Sequence, residues 1–175
     1  VILVGEMRDL ESIEMALHAA ETGHLVFSTL HTIDAKETLN RIIGTFPPHE
    51  QARIRLTLAS TLEGVVSQRL IKTIGGGRKA VIELLLKTSR IEELIRKKRD
   101  DEITDALEEG REIYGTQTFD QALLELVADG FVTQEMAIET ATSPDNLKLK
   151  LSGMQQNRSS QSADMAPIIG LKKSD

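Results

Sequence analysis

Val1-Ile-Leu-Val-Gly-Glu-Met-Arg-Asp9 and, beginning 15 residues after Asp9, His24-Leu-Val-Phe-Ser-Thr-Leu-His31 decide the fold. Four apolar residues in a row read as a strand buried on both faces, the pattern of a parallel sheet covered by helices. That strand delivers Gly5 and Glu6 to its carboxyl end, where open α/β sheets place their ligands. Gly5 is expected to let the backbone turn sharply and close on a ligand, and Glu6 to present a carboxylate to it. Asp9 can cap the helix that follows, with Glu11 favourably placed in its first turn. Ile13, Ala16, Leu17 and Ala20 give that helix an apolar stripe, and Gly23 suits its stop. Leu25-Val-Phe27 is then a second buried strand, ending in the polar Ser28-Thr29. Strand, helix and strand in this order define an α/β class.

Outward from this unit, Asp34 can cap a helix carrying Leu39, Ile42 and Ile43. Pro47-Pro48 stops it and opens another helix from about His49 to Gly64, with Ile54, Leu58 and Leu62 at helical spacing. Val65 to Ile74 and Ala80 to Leu86 are β-rich and flank Gly75-Gly-Gly77, which predicts an antiparallel hairpin at the sheet edge. The composition shifts at Thr88. From there to about residue 152 short helices follow, with capping-box patterns at Ser89/Glu92 and Thr118/Gln121, a cap at Thr133 and Ser143-Pro144 as a start signal. Gly110 and Gly130 stand where glycines end helices. The run Arg96-Lys-Lys-Arg99-Asp-Asp-Glu102 reads as a solvated hinge, because basic residues end one helix and acidic ones begin the next. After Gly153 periodicity vanishes, so 153–175 is expected to be a mostly disordered tail, with Ile168-Ile169 as a docking point. The divisions are therefore 1–87, the α/β core; 88–152, a small helical subdomain; and 153–175, the tail.

A net charge of −6 argues against a nucleic-acid-binding face as the main business. Zero cysteines exclude disulfides and thiolate metal sites, and fit a reducing cytoplasm. No apolar run approaches the ~20 residues of a membrane helix, and no signal peptide is present. Aromatic residues make up only 3% of the chain, so a core must be built from Leu, Ile, Val and Ala.

Glu6 is the main candidate for chemistry. A carboxylate fixed at the end of a rigid strand can orient and polarise water for in-line attack on phosphate, although a strand-end Glu can also be a cap or an ion-pair partner. Arg8 can pair with Asp9 or another acid, or reach a phosphate bidentately. Arg41, on the helix that starts beside His31, is a similar case. His24 and His31 are seven residues apart, roughly 20 Å along a straight strand, so they share no metal. His31 lies with Ser28, Thr29 and Thr32 at the carboxyl end, where it can donate to a phosphate oxygen. No GxxxxGK[ST] phosphate loop occurs in the chain, and Gly75-Gly-Gly77-Arg78-Lys79 lacks its spacing.

GEMRD at Gly5–Asp9 and HLVFSTLHT from His24 resemble the Walker B and His boxes of the secretion-type ATPases, and within them the twitching-motility, or type IV pilus retraction, ATPases of the PilT family. The resemblance spans Val1 to about Leu151 and recurs in Gly115-Thr-Gln-Thr-Phe-Asp-Gln-Ala-Leu123. It implies a RecA-like P-loop ATPase core fragment, from the Walker B strand onward, with a C-terminal helical bundle. It also implies that Glu6 is the catalytic glutamate, that His31 acts on the nucleotide, and that Arg8, Asp9, His24, Thr29 and Arg41 are nucleotide-proximal or at a subunit contact. Such proteins work as hexameric rings on ATP and Mg²⁺, in the cytoplasm at the inner face of the inner membrane, against a pilus platform protein. The phosphate loop and the Mg²⁺ ligands would come from a preceding half, no direct metal ligand is expected here, and this piece alone is expected to be inactive. Extension and type II secretion ATPases commonly carry a four-cysteine zinc module, which has no counterpart here. Arg90-Ile-Glu-Glu-Leu-Ile-Arg-Lys97 replaces the retraction motif AIRNLIRE, keeping Ile91, Leu94, Ile95 and Arg96 but departing at Arg90, Glu92, Glu93 and Lys97. An accessory or type II secretion ATPase, or a non-enzymatic module docking a membrane platform protein, therefore remain alternatives.

Overall fold

Strand β1 (Ile2–Leu3) pairs in parallel with β2 (Val26–Phe27) in a computed structural model of the chain, which describes residues 1–164, with side chains as far as Met154. The crossover between them is α1 (Leu10–Glu21). Asp9 caps it in a reciprocal box: its carboxylate takes the Ser12 N–H at 2.9 Å, and its own N–H donates to the Ser12 hydroxyl. Ile13, Ala16 and Leu17 turn inward, as the stripe predicts. The strands are not buried on both faces, however. Ile2 and Val26 are half-buried, whereas Leu3 is 79% and Phe27 55% exposed. Parallel strands need a layer on each face, and among the described residues only one face has it.

Helix α2 (Ala35–Gly44) starts at Asp34, whose carboxylate takes the Glu37 N–H at 2.7 Å. After Pro47-Pro48 comes α3 (Gln51–Thr61), burying Ile54, Leu58 and Ala59. Strands β3 (Gly64–Lys72) and β4 (Arg78–Leu86) pair antiparallel in unbroken register, from Gly64 opposite Leu86 to Lys72 opposite Arg78. Gly76 and Gly77 at the tip have φ of +85° and +83°, which only glycine adopts freely. The hairpin forms as predicted, but as a separate sheet rather than on the edge of the parallel pair.

Next come α4 (Ser89–Arg96), a 3₁₀ turn at Asp100–Glu102, α5 (Ile103–Glu109) and α6 (Arg111–Tyr114), then α7 (Phe119–Ala128), α8 (Gln134–Thr140) and α9 (Pro144–Asp164). Thr88 caps α4, accepting from Ile91 N–H at 3.2 Å, so Ser89 is the first helical residue instead of the cap. The capping box at Thr118/Gln121 and the cap at Thr133 form as read. Gly110 is not left-handed; it is small because a Cβ would lie 2.7 Å from the Thr116 hydroxyl.

The packing does not divide where the composition does. Ile91, Leu94, Ile95, Ile103 and Leu107 join α1–α3 and Leu85 in one core. Ile71 and Val81, from the other half of the hairpin, join Phe119, Leu123, Ala137 and Leu147 in a second. The charged hinge is also less solvated than expected. Buried Arg55 donates to Asp100 at 2.7 Å and to the Ile95 carbonyl at 3.0 Å, while Lys36 pairs with Asp101. A carboxylate read as a helix-dipole charge is thus the part-buried ion-pair partner of a buried arginine on α3. Past Gly153 the helix continues to Asp164, in a stretch that lacks proline and includes Met and Gln, both good helix formers. Ile168-Ile169 lies outside the described residues. No helix among the described residues is long and apolar enough to cross a membrane.

Candidate functional site

The parallel ladder continues beyond the paired residues and brings two strand ends together. Ile2 N–H donates to Leu25 O at 2.8 Å, Val4 N–H to Phe27 O at 2.9 Å and Met7 N–H to Thr29 O at 3.1 Å. The Thr29 hydroxyl closes the stitch from the other side, donating to the Gly5 carbonyl at 2.7 Å. Glu6 and His31 are thereby set face to face, with His31 Nε2 3.3 Å from Glu6 Oε1. The other carboxylate oxygen takes Arg8 Nη2 at 2.6 Å. Arg8 therefore chooses Glu6 over Asp9, which is occupied as the cap of α1.

The Glu6 side chain is 23% exposed, against 75% for Arg8 and 85% for His31, so the carboxylate is the sheltered member of the cluster. The hydrogen bond from Arg8 holds the Glu6 carboxyl below its usual range, with help from the charges of Arg8, His31 and Arg41, although partial burial pulls the other way. Glu6 is thus ionised well below neutrality. The same hydrogen bond, and then the charge of Glu6, raise the Arg8 pKa. The Asp9 carboxyl is lowered by the Ser12 N–H and hydroxyl, which reflects a helix cap and not the cluster. Arg41, exposed in the last turn of α2, contributes its charge to Glu6 without touching it.

His24 is not brought to this end. Its N–H donates to Ala19 O at 3.0 Å, and its ring Nδ1 lies 3.3 Å from Ala19 O and from the Thr22 hydroxyl, where it closes the end of α1. At Gly5 the turn forms without a glycine's conformational freedom. Its φ is not in the left-handed region, and a Cβ there would meet nothing within 4 Å. The turn does not require a glycine; only the approach of a further group would.

Two residues that the sequence did not single out support this end of the fold. Glu83 is only 6% exposed, and its Oε1 accepts the Ala35 N–H at 2.7 Å. Arg69 donates to the Ile33 carbonyl at 3.4 Å. Their signal in the sequence is a charge at an inward position of each strand: Arg69 is in phase with Val65 and Ile71, and Glu83 with Val81 and Leu85.

Two parallel strands joined by a crossover helix, with a sheltered carboxylate at their carboxyl end, fit a RecA-like α/β core. The chain belongs to the family of type II/IV secretion system proteins, whose sequence model matches residues 1–140. It is 49% identical over 146 residues to the type IV pilus retraction ATPase PilT of Pseudomonas aeruginosa, covering 83% of this chain and 42% of that protein. It is 45% identical over 148 residues to a twitching motility protein of Neisseria gonorrhoeae, covering 84% and 39%. The crystal structure of the pilus retraction motor PilT with bound ADP superimposes with a TM-score of 0.75 at 42% identity, over 84% of this chain and 41% of that one. The chain thus spans about two fifths of the length of the curated relatives it matches.

Proposed function

We propose that this chain supplies the carboxylate side of an ATP-hydrolysing site in a hexameric cytoplasmic motor that retracts type IV pili. The observation that carries the reading is Glu6, ionised, sheltered and held between His31 and Arg8 at the end of the stitched strands. Glu6 orients the attacking water, while His31 and Arg8 donate to the γ-phosphate oxygens where negative charge accumulates. A carboxylate with a lowered pKa is suited to aligning water rather than holding a proton in the ground state. ATP supplies the phosphoryl group, and Mg²⁺ neutralises charge on its phosphates when bound.

The donor set fits the γ-phosphate end of a nucleotide rather than a complete metal site. One carboxylate stands among cationic groups, and among the described residues no group of three or more His, Asp or Glu could hold a metal. The phosphate loop, and with it the Mg²⁺ ligands, belong on this reading to a preceding part of a longer protein. The bare face formed by Val1, Leu3, Leu25 and Phe27 supports that, because it is where a further layer would pack. The remaining partners are other copies of the protein and a platform protein at the inner face of the inner membrane. His24 serves this reading indirectly, by fixing the end of α1.

One observation favours a second reading, an accessory or type II secretion motor. The residues of α4 that depart from the retraction motif are engaged locally: Arg90 with Glu109, Glu92 with Arg96, and Glu93 with Lys97. The apolar residues that the motif shares, Ile91, Leu94 and Ile95, are at most 3% exposed and form core, not a docking face. Glu6→Gln in the full-length protein is expected to lower ATP turnover at least ~100-fold with nucleotide binding retained, and the 175-residue chain alone to turn over none. Turnover that survives Glu6→Gln would sink the proposal. Loss of pilus retraction in cells carrying that variant separates the first reading from the second.

A further inference from the structure

Between the two hydrophobic cores the inner face of the hairpin turns polar. Ser67 and Glu83 are register partners and both buried, and Arg69 follows Ser67 on the same face. A carboxylate and a guanidinium in the middle of an apolar strand face are costly unless their polar atoms find partners. Two of those partners lie on, or directly after, the loop that carries His31. The Ala35 N–H, at the start of α2, donates to Glu83 at 2.7 Å, and Arg69 Nη2 donates to the Ile33 carbonyl at 3.4 Å.

The other arm of Arg69 reaches the end of α8, at the edge of the second core. Its Nη1 donates to the Thr142 hydroxyl at 3.2 Å and to the Thr140 carbonyl at 3.4 Å, at the end of α8. The guanidinium carbon lies 3.8 Å from the centroid of the Phe119 ring, at the start of α7. Asp120 of α7 fixes the same segment, accepting the N–H groups of Thr142 at 2.8 Å and Ser143 at 3.0 Å. The rest of the loop is tied locally: Ile33 N–H donates to Glu37 at 2.9 Å, and the Thr32 and Thr38 hydroxyls share a bond of 2.7 Å.

We infer that Arg69 is a positioning residue that couples the seat of α7 and α8 to the loop holding His31 against Glu6. The inference rests on the reading of Glu6 and His31 as the ATP-hydrolysing pair. One planar guanidinium grips both sides, Ile33 two residues from His31 and Thr140/Thr142 at the end of α8. A shift of either side breaks a bond to the other or lifts the cation off Phe119. Lysine keeps the charge but not the fork, so it cannot hold both. Glu83 supplies the fixed point at Ala35 about which the loop would move.

Thr142→Val tests the coupling, because it removes an acceptor at the end of α8 and leaves the loop untouched. Amide hydrogen exchange is read at Ile33 and Ala35 in the 175-residue chain. Thr142→Val is expected to speed exchange there about threefold or more in the native background, and to add nothing when Arg69 is Met or Lys. The Lys background serves if Arg69→Met does not fold. An effect of Thr142→Val that persists in either background overturns the coupling. In the full-length protein, Arg69→Lys should lower kcat about tenfold with KM for ATP within about twofold, as expected for a misplaced catalytic loop. An unchanged kcat overturns the positioning role. Failure of the nucleotide-site reading appears separately, as turnover surviving Glu6→Gln with the exchange result intact.

Discussion

The β1–β2 pair and the β3–β4 hairpin are each two strands wide, yet different forces hold them. The hairpin is long and joined by a glycine turn, and its inner face meets helices of its own chain, with Val81 and Leu85 fully buried. The parallel pair is two residues long and, among the described residues, leaves one apolar face bare. Antiparallel strands can fold locally and pack on one side, whereas parallel strands need a crossover and cover on both. On the proposed reading, chemistry and stability are thus separated. Glu6 and His31 project from the less buried pair and are placed by hydrogen bonds from Met7 and Thr29 more than by packing. The hairpin, bridging two cores, anchors what surrounds them.

Two phenylalanines put this contrast to the sharpest test. Phe119 is 1% exposed beneath the hairpin, and Phe27 is 55% exposed on β2. Phe119→Ala should destabilise the chain by about 3–5 kcal/mol, through lost burial and a cavity. Phe27→Ala should cost under about 1 kcal/mol in the same urea titration, because little area leaves the protein interior. Equal costs would mean that the bare face is already covered, for instance by a second copy of the chain. In the full-length protein the cost of Phe27→Ala should rise if the proposed further layer packs there.

Two glutamates give a smaller and opposite pair of effects with pH. Burial raises the Glu83 carboxyl above its ordinary 4.5, against the opposing hydrogen bond from Ala35. The folded state therefore binds that proton more tightly than the unfolded state, and stability falls as pH rises from about 4.5 through the folded value. Glu83→Gln keeps an acceptor for the Ala35 N–H and removes the titration. The wild type should thus lose ground to the Gln variant as pH rises, read by urea unfolding at a series of pH values. Glu6 is shifted the other way, mainly by Arg8. Its contribution is present above the unfolded value and lost as pH falls through the folded one, and solvent screening keeps it small. A Gln variant at position 83 that tracks the wild type at every pH would mean that Glu83 is not the buried group described here.

Local chemistry was legible in the sequence and distant partnership was not. Asp9, Asp34, Thr118 and Thr133 announced their helices because a cap acts within four residues. The hairpin announced itself through alternation and glycines. Strand–helix–strand order put Glu6 and His31 at the same end of the sheet, since adjacent parallel strands end at the same side, but did not show their direct contact. The sequence could not say that Arg8 would take Glu6 over Asp9, which depends on the path of the turn. Nor could it show Arg69 and Glu83 reaching the His31 loop, across separations of 36 and 48 residues. Asp100 carried a plausible local explanation as a dipole charge, and that hid its bond to Arg55, 45 residues away. Apolar character marked β1 and β2 as strands without saying what would cover them.

Gly5, at the junction of the bare pair and the site, carries the smallest expected effect on stability and separates folding from function most cleanly. Its backbone is not left-handed, and an added Cβ finds open space. Gly5→Ala should therefore leave the chain as stable as before or raise its stability by less than about 1 kcal/mol, by restricting the unfolded state. If the glycine serves the close approach of a phosphate, the same change should depress turnover in the full-length protein while the unfolding midpoint of the chain stays put. A large loss of stability would instead mean that the turn between β1 and Glu6 is under strain. Turnover equal to the wild type would remove close approach as the reason for glycine, leaving Glu6, His31 and Arg8 to account for the site by themselves.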